Sequence, residues 1–187
     1  MDEPASYFLA LLFADENILA EHVSFTEALI KLGAVLLLVI ANGFFVGSEF
    51  ALVSVRRPRL EARAAAGSKG AQSALRLLAE PTIFISATQL GITLASLALG
   101  WIGEPTVAAL LLPVAARIAS TGWAASIAHG AAIVLAFGAI TYLHIVIGEL
   151  MPKMVALERA EALALVASRP LELFARVFRA PIWVFNK

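Results

Sequence analysis

The sequence predicts an all-α membrane protein with three transmembrane helices, one short re-entrant or interfacial helix, and cytoplasmic juxtamembrane amphipathic helices. Hydrophobic residues make up 60% of the 187 residues, and the mean hydropathy is +0.87. A soluble domain has about 45–50% apolar residues. Charged residues account for only 15% of the chain, and they are gathered into a few stretches between long apolar runs. Both observations indicate a chain that folds in a bilayer.

The same composition excludes several classes of function. The formal net charge is zero, so the surface has no excess charge with which to bind nucleic acid. The chain has no cysteine, which excludes disulfides and thiolate chemistry. The three histidines, His22, His129 and His144, are too scattered for a zinc-type cluster. A bound metal would therefore need oxygen ligands, and these favour Mg²⁺ or another hard cation. Because the sequence also lacks a recognisable catalytic motif, we expect that the protein is not an enzyme.

The first 24 residues form a segment of their own. Asp2 and Glu3 stand where a signal peptide carries positive charge, and Asp15 and Glu16 interrupt the apolar residues that follow. We therefore expect residues 1–24 to be an amphipathic segment on the extracytoplasmic surface of the membrane.

Three apolar stretches are long enough to cross a membrane, at about residues 25–55, 82–101 and 124–152. The Gly-Glu-Pro sequence at residues 103–105 predicts a turn after the second stretch. Residues 106–118 are too few to cross a membrane, and Pro113 interrupts them. We therefore expect them to form the short re-entrant or interfacial helix.

Two basic stretches predict the orientation of the chain. Residues 56–80 and residues 153–187 each contain six Lys or Arg, whereas the first 24 residues contain none. The positive-inside rule places both basic stretches in the cytoplasm and the N-terminus outside. We expect amphipathic juxtamembrane helices in both stretches, the second broken at Pro170 and Pro181.

A polar stretch at the end of the first apolar run contains the first candidate site residues. Asn42, Ser48 and Glu49 are costly to place in or near a membrane without a function. Gly43 and Gly47 form a G-x-x-x-G pair, which allows close packing of helices. Glycine also allows a local break that frees carbonyl oxygens to line a cavity, and the sequence leaves both interpretations open.

A second polar stretch ends the last apolar run, and Glu149 is its most informative residue. Pro152 has no N–H group, so it cannot satisfy the carbonyl of Gly148 four residues earlier. A free carbonyl beside a carboxylate is a pair of oxygens that suits a hard cation. The alternative is a simple ion pair between Glu149 and Lys153, one helical turn away.

The second apolar run is unusually polar for a spanning helix. Gln89, Thr93 and Ser96 fall within it, around Gly91, and they are candidates to line a hydrated route. The alternative is that the hydroxyl groups bond to carbonyls of their own helix. His144 in the last run is better explained by helix packing than by metal binding, since it lies roughly 140° around the helix from Glu149.

Four motifs together resemble the transmembrane domain of the CNNM/CorC magnesium-transport family. They are NGFFVGSEFAL at residues 42–52, RRPRL at 56–60, QLGITL at 89–94 and GELMPK at 148–153. They occur in the family's order and spacing, and the resemblance covers residues 25–186.

The resemblance implies a homodimer of three-span protomers in a bacterial plasma membrane. It implies that a dehydrated Mg²⁺ binds between the polar helix ends and is exported in exchange for Na⁺. The ligands it implies are the Ser48 hydroxyl, the Gly148 carbonyl and the Glu149 carboxylate. It also implies ATP-binding CBS domains after residue 187, so we expect that the chain is a piece of a longer protein.

The sequence departs from the family at one part of the implied site. Many relatives have Gly-Asn-Asn where this chain has Gly91-Ile92-Thr93, so the Thr93 hydroxyl or a carbonyl near Gly91 would have to replace an amide ligand. The alternative function is a membrane Mg²⁺ sensor or scaffold that transports nothing. The residues expected to line the ion pathway are Asn42, Glu49, Gln89 and Ser96.

Overall fold

The computed structural model describes residues 25–118 and 121–185, and the regular structure within those ranges is helical. The elements in order are α1 (Phe25–Ser54), α2 (Arg57–Ala65), α3 (Lys69–Ala79), α4 (Pro81–Ile118), α5 (Gly122–Ile145), a π-helical segment (Val146–Leu150), α6 (Met151–Glu158), α7 (Ala160–Val177) and α8 (Arg179–Phe185). The amphipathic segment expected at residues 1–24 lies outside the described residues.

Three helical runs are long and apolar enough to cross a membrane, namely Thr26–Ser54, Pro81–Ile118 and Gly122–Glu158. The prediction of an all-α membrane protein with three spanning helices is confirmed. The third run joins α5, the π segment and α6, so it continues to Glu158 rather than ending near residue 152. The residues between the first two runs form two short helices, α2 and α3, separated at Gly67, whose φ is +88°.

The turn predicted at residues 103–105 is not present, because α4 is one helix of 38 residues with Pro105 and Pro113 inside it. The region is held by packing against α5: Gly103 and Thr106 are buried, and a Cβ at Gly103 would lie 3.3 Å from the Ile140 side chain. Neighbouring helices let spanning helices tolerate proline. The residues expected to form a separate short helix are therefore the end of α4, whose length of about 57 Å exceeds the apolar thickness of a bilayer.

The largest hydrophobic core lies where the basic ends of the spanning runs meet the short helices. Leu52 of α1, Leu60 of α2 and Leu171 of α7 are almost fully buried in it. The rings of Phe45 on α1 and Phe174 on α7 also pack there, with centroids 4.7 Å apart. The short helices are thus fixed to the ends of the spanning helices by apolar contacts.

The break predicted at Pro170 is absent, and the break predicted at Pro181 lies three residues earlier, at Phe178. Helix α7 continues through Pro170, which is exposed, because the adjacent Leu171 is buried in the core and holds the helix in place. Pro181 lies in the first turn of α8, where a missing N–H group removes no helical bond. The helices instead end at Arg159 and Phe178, where ψ changes to 40° and 23°.

Candidate functional site

The third spanning run changes from α-helix to π-helix at Val146–Leu150. Pro152 explains why: its missing N–H group leaves the Gly148 carbonyl without an α-helical donor. The chain widens by one residue there, and the Met151 N–H donates to the Val146 carbonyl. Single π-helical turns are rare and are found frequently at functional sites.

The Gly148 carbonyl is bound by a side chain from another spanning helix. Asn42 of α1 donates from Nδ2 to this oxygen over 2.9 Å, and the Asn42 side chain is buried. Ser96 of α4 donates to Asn42 Oδ1 over 3.2 Å, and its Oγ lies 3.1 Å from His144 Nε2. These four residues, here called the interhelical network, connect all three spanning runs.

The bonds in the network determine where the protons lie. The Gly148 oxygen can only accept, so Asn42 must direct its amide nitrogen there and its oxygen towards Ser96. The Ser96 hydroxyl has one proton, which it donates to Asn42. The bond between Ser96 and His144 therefore needs a proton on His144 Nε2.

An apolar layer lies next to the interhelical network, on the side away from the basic ends of the helices. Its members lie one or two helical turns from network residues along α1, α4 and α5, and they pack together as one buried cluster. The layer consists of Val35, Val39, Leu99 and Ile140. It separates the network from the opposite end of the helices.

The two glycines of α1 pack directly against the π segment and α6. A Cβ at Gly43 would lie 3.0 Å from Pro152 Cγ, and a Cβ at Gly47 would lie 3.6 Å from Pro152 Cβ. Helix α1 is unbroken at both positions. The close-packing interpretation of the G-x-x-x-G pair is therefore the one that the structure supports, and the alternative break at Gly47 is absent.

Ser48 and Glu49 lie close to this contact but outside the network. Ser48 is buried, and its Oγ donates to the Phe44 carbonyl of the same helix. It also lines a mainly apolar cavity of about 310 Å³ between α1, the π segment and α7. Glu49 is half-buried and makes no hydrogen bond or ion pair with any residue that the structure describes.

The Glu149 side chain forms an ion pair with Lys153 on the next turn. The two side chains are 45% and 30% exposed, and Lys153 Nζ also lies 5.2 Å from the centroid of the Phe50 ring. In this structure the Glu149 side chain therefore forms the simple ion pair with Lys153 that the sequence offered as an alternative to metal binding. The neighbouring Gly148 carbonyl belongs to the buried network.

Helix α4 divides the remaining predicted residues between two faces. Ser96 faces the network, but Gln89 and Thr93 are exposed and border a depression of about 270 Å³. The Thr93 hydroxyl donates to the Gln89 carbonyl over 2.8 Å. Gly91 is buried in an uninterrupted helical stretch, where an added Cβ would overlap the Phe45 ring, so the glycine allows close packing of α1 and α4.

The structure brings some of the predicted site residues together and separates others. Asn42, Ser96 and Gly148 meet, whereas Glu149 and Thr93 point elsewhere. In the part of the chain that the structure describes, no three His, Asp or Glu side chains form a metal-binding group. Sequence reasoning assigned His144 to helix packing, and its contact with Ser96 of α4 agrees with that assignment. His144 lies four residues before Gly148, so the two positions share a helix face.

The fold and the network define a class: a helical membrane domain with three spanning runs around a buried polar site. The sequence profile of the Cyclin M transmembrane N-terminal domain (CNNM) matches residues 32–187. The chain therefore belongs to the CNNM family, as the resemblance of its motifs indicates.

Similar proteins occur in several bacteria. The UPF0053 protein YhdT of Bacillus subtilis is 41% identical over 86% of this chain and 33% of its own length. The UPF0053 protein YrkA of the same organism is 37% identical over 80% of this chain and 34% of its length. The UPF0053 protein sll0260 of Synechocystis is 40% identical over 79% of this chain and 32% of its length. The chain thus spans about a third of the length of these relatives.

Proposed function

We propose that this chain is the membrane domain of a magnesium transporter, which exports Mg²⁺ from the cytoplasm in exchange for Na⁺. The observation that carries the proposal is the buried network at the π segment. Polar groups inside a membrane are expensive and are a functional-site hypothesis by default. Here they surround a π-helical turn that releases one backbone carbonyl from the helical bonds. Many transporters present backbone oxygens to an ion where a spanning helix is irregular.

The oxygens near this π-helical turn suit a cation that binds only transiently while it crosses the membrane. The Gly148 carbonyl, the Glu149 carboxylate and the Ser48 hydroxyl each already have a partner within the protein. Binding of Mg²⁺ would have to displace the Asn42 amide and the Lys153 ammonium group. Such competition weakens the site, and a transport site must bind weakly enough to release its ion.

The other predicted residues have places in the same scheme. Asn42 and Ser96 line the ion pathway within the network, and the half-buried Glu49 supplies a carboxylate beside it. The Thr93 hydroxyl or the Gly91 carbonyl would reach the ion only if α4 turned from its present position. Gln89 stays a proposed pathway residue on the same face as Thr93.

The proposed setting is a bacterial plasma membrane, with the N-terminus outside and the basic helices in the cytoplasm. The family and its bacterial members support the membrane, and the basic residues beside the spanning runs support the orientation. In this orientation the apolar layer lies on the outer side of the network, so the ion would enter from the cytoplasm.

We also propose that the chain acts as a homodimer. The exposed depression on α4 contains Gln89 and Thr93 on a spanning helix, and polar groups of this kind are unfavourable against lipid acyl chains. A second copy of the chain would cover this face better than lipid would.

Mg²⁺ flux in proteoliposomes tests the proposed transport. We expect Glu149→Gln to lower Na⁺-dependent Mg²⁺ flux by about tenfold or more, because it removes the only full negative charge at the π segment. Glu27→Gln is the matched control, since Glu27 also pairs with a lysine four residues later, Lys31, but near the start of α1. Unchanged flux in Glu149→Gln would overturn the proposed site, and Mg²⁺ binding without flux in the unaltered chain would favour the sensor.

A further inference from the structure

A cavity of about 610 Å³ opens between the ends of two spanning runs and the short helices α2 and α7. It is separate from the interhelical network and from the proposed ion ligands. Residues from the end of α1, from α2, from the end of α6 and from the start of α7 line it. Its charged lining residues are Arg56, Arg59, Arg63, Glu158, Arg159 and Glu161.

The lining has more positive than negative charge, with four arginines against two glutamates. Arg59 and Arg63 both bind Glu161, over 3.4 Å and 3.0 Å. Arg56 and Arg159 form no ion pair or hydrogen bond through their side chains with the residues that the structure describes. Their two guanidinium groups are therefore available to an anion in the cavity.

The same two arginines stand at the beginnings of helices. Arg56 is the N-cap residue of α2 and Arg159 that of α7, and neither side chain caps its helix. Arginine is a poor N-cap residue, because its positive charge lies next to the positive end of the helix dipole. An anion bound between them would offset both effects and could accept bonds from the free N–H groups at the start of α7. The start of α2 contributes less, because Pro58 has no N–H group and the Arg59 N–H donates to the Arg56 carbonyl.

The depth of the cavity indicates where this anion would come from. Ser54 ends the first spanning run and Glu158 ends the third, and both line the cavity. The cavity therefore lies at the basic ends of both runs, on the side where the positive-inside rule places the cytoplasmic headgroups. Clusters of basic residues at this position are typical of binding to anionic lipids.

We propose that this cavity binds the phosphate of an anionic phospholipid headgroup, held by Arg56 and Arg159 and by the start of α7. The lipid belongs to the leaflet on the basic side of the protein. The site is independent of the proposed transport, since none of its residues belongs to the network or to the predicted Mg²⁺ ligands.

Native mass spectrometry of the detergent-solubilised chain tests this proposal, because it counts individual lipids bound. The probes are phosphatidylglycerol, zwitterionic phosphatidylcholine and inorganic phosphate. We expect phosphatidylglycerol to bind, and the double variant Arg56→Gln/Arg159→Gln to bind it about tenfold more weakly. Arg169→Gln/Arg179→Gln is the matched control: it removes the same charge from exposed arginines outside the cavity, and we expect its affinity to be unchanged.

Each other outcome would overturn part of the proposal. Equal loss of affinity in the two double variants would mean that the lipid responds to total surface charge and not to this cavity. Equal binding of phosphatidylcholine would exclude recognition of a negative headgroup. Inorganic phosphate that binds at the same residues and displaces phosphatidylglycerol at similar concentration would identify a soluble phosphate, and not a lipid, as the ligand.

Discussion

Asn42 satisfies two buried groups of the spanning helices with one side chain. Its amide nitrogen binds the Gly148 carbonyl that Pro152 leaves free, and its oxygen receives the Ser96 hydroxyl proton. A leucine at this position would leave both partners without a bond, and an ionised aspartate would have no proton to donate to the carbonyl. The geometry of the network therefore requires a neutral side chain that both donates and accepts.

We expect Asn42→Ala to lower the free energy of unfolding by about 1–2 kcal/mol, because two buried polar groups lose their partner. Thr93→Val is the control, since it removes a hydroxyl that is exposed and bonds only to its own helix; we expect a change below about 0.5 kcal/mol. Thermal unfolding in detergent measures both. Equal effects of the two substitutions would contradict an energetic role for the network.

At the residue scale, the sequence predicted which positions are polar but not which partners they have. Asn42, Ser96 and Gly148 were all predicted site residues, and the free Gly148 carbonyl followed from Pro152 alone. Their meeting depends on how α1, α4 and α5 are rotated about their axes. That rotation is decided by packing of glycines such as Gly43 and Gly91, which no local pattern specifies.

At the scale of elements, the tightest contact at any described glycine joins α3 to α7. Gly70 lies against the backbone of α7, and a Cβ there would overlap the Leu165 carbonyl oxygen. A backbone carbonyl cannot move aside as a flexible side chain can. The contact therefore fixes the distance between the two helices and requires glycine at this position.

We expect Gly70→Ala to destabilise the protein by about 1–3 kcal/mol, since the two helices must separate to admit the methyl group. Gly138→Ala on α5 is the control, because no described atom outside the adjoining backbone of its own helix lies within 4 Å of its Cβ position. Alanine favours a helix over glycine by up to about 1 kcal/mol, so this variant should be unchanged or slightly more stable. Thermal unfolding of both variants checks the prediction, and a stable Gly70→Ala protein would contradict the close contact.

The helices were largely predictable from the sequence. Where the predicted and observed helices differ, the differences have one cause. Hydropathy located the three spanning runs. The turn at 103–105 and the break at Pro170 were expected because Gly and Pro are local signals. In both places burial against a neighbouring element outweighs the local preference.

At the scale of the whole molecule, charge pairs connect segments that are far apart in sequence. Arg76 of α3 binds Glu172 of α7 through two bonds of 2.9 Å and 2.8 Å, and it also donates to Ser73. Arg63 of α2 binds Glu161 of α7 over 3.0 Å. These pairs attach α2 and α3, which follow the first spanning run, to α7, which follows the third. The second run begins directly after α3, so the basic ends of all three runs are held together.

The Arg76–Glu172 pair makes stability depend on pH in the acid range. The bond from Arg76 is the main cause that lowers the pKa of Glu172 from 4.5 to about 2. Because the folded pKa is below the unfolded one, the pair stabilises the fold above about pH 4.5, and this contribution is lost as the pH falls towards 2. Arg76 is 58% exposed, so solvent reduces the contribution to about 1 kcal/mol.

We therefore expect Glu172→Gln to unfold at a lower temperature than the unaltered chain at pH 7, and the difference to disappear as the pH falls from 4.5 to 2. Glu61→Gln is the comparison, because it breaks a more exposed pair with Arg57 within one short helix and should have little effect. Thermal unfolding of the three proteins across this pH range measures the difference. A Glu172→Gln protein as stable as the unaltered chain at pH 7 would mean that apolar packing alone holds α3 against α7.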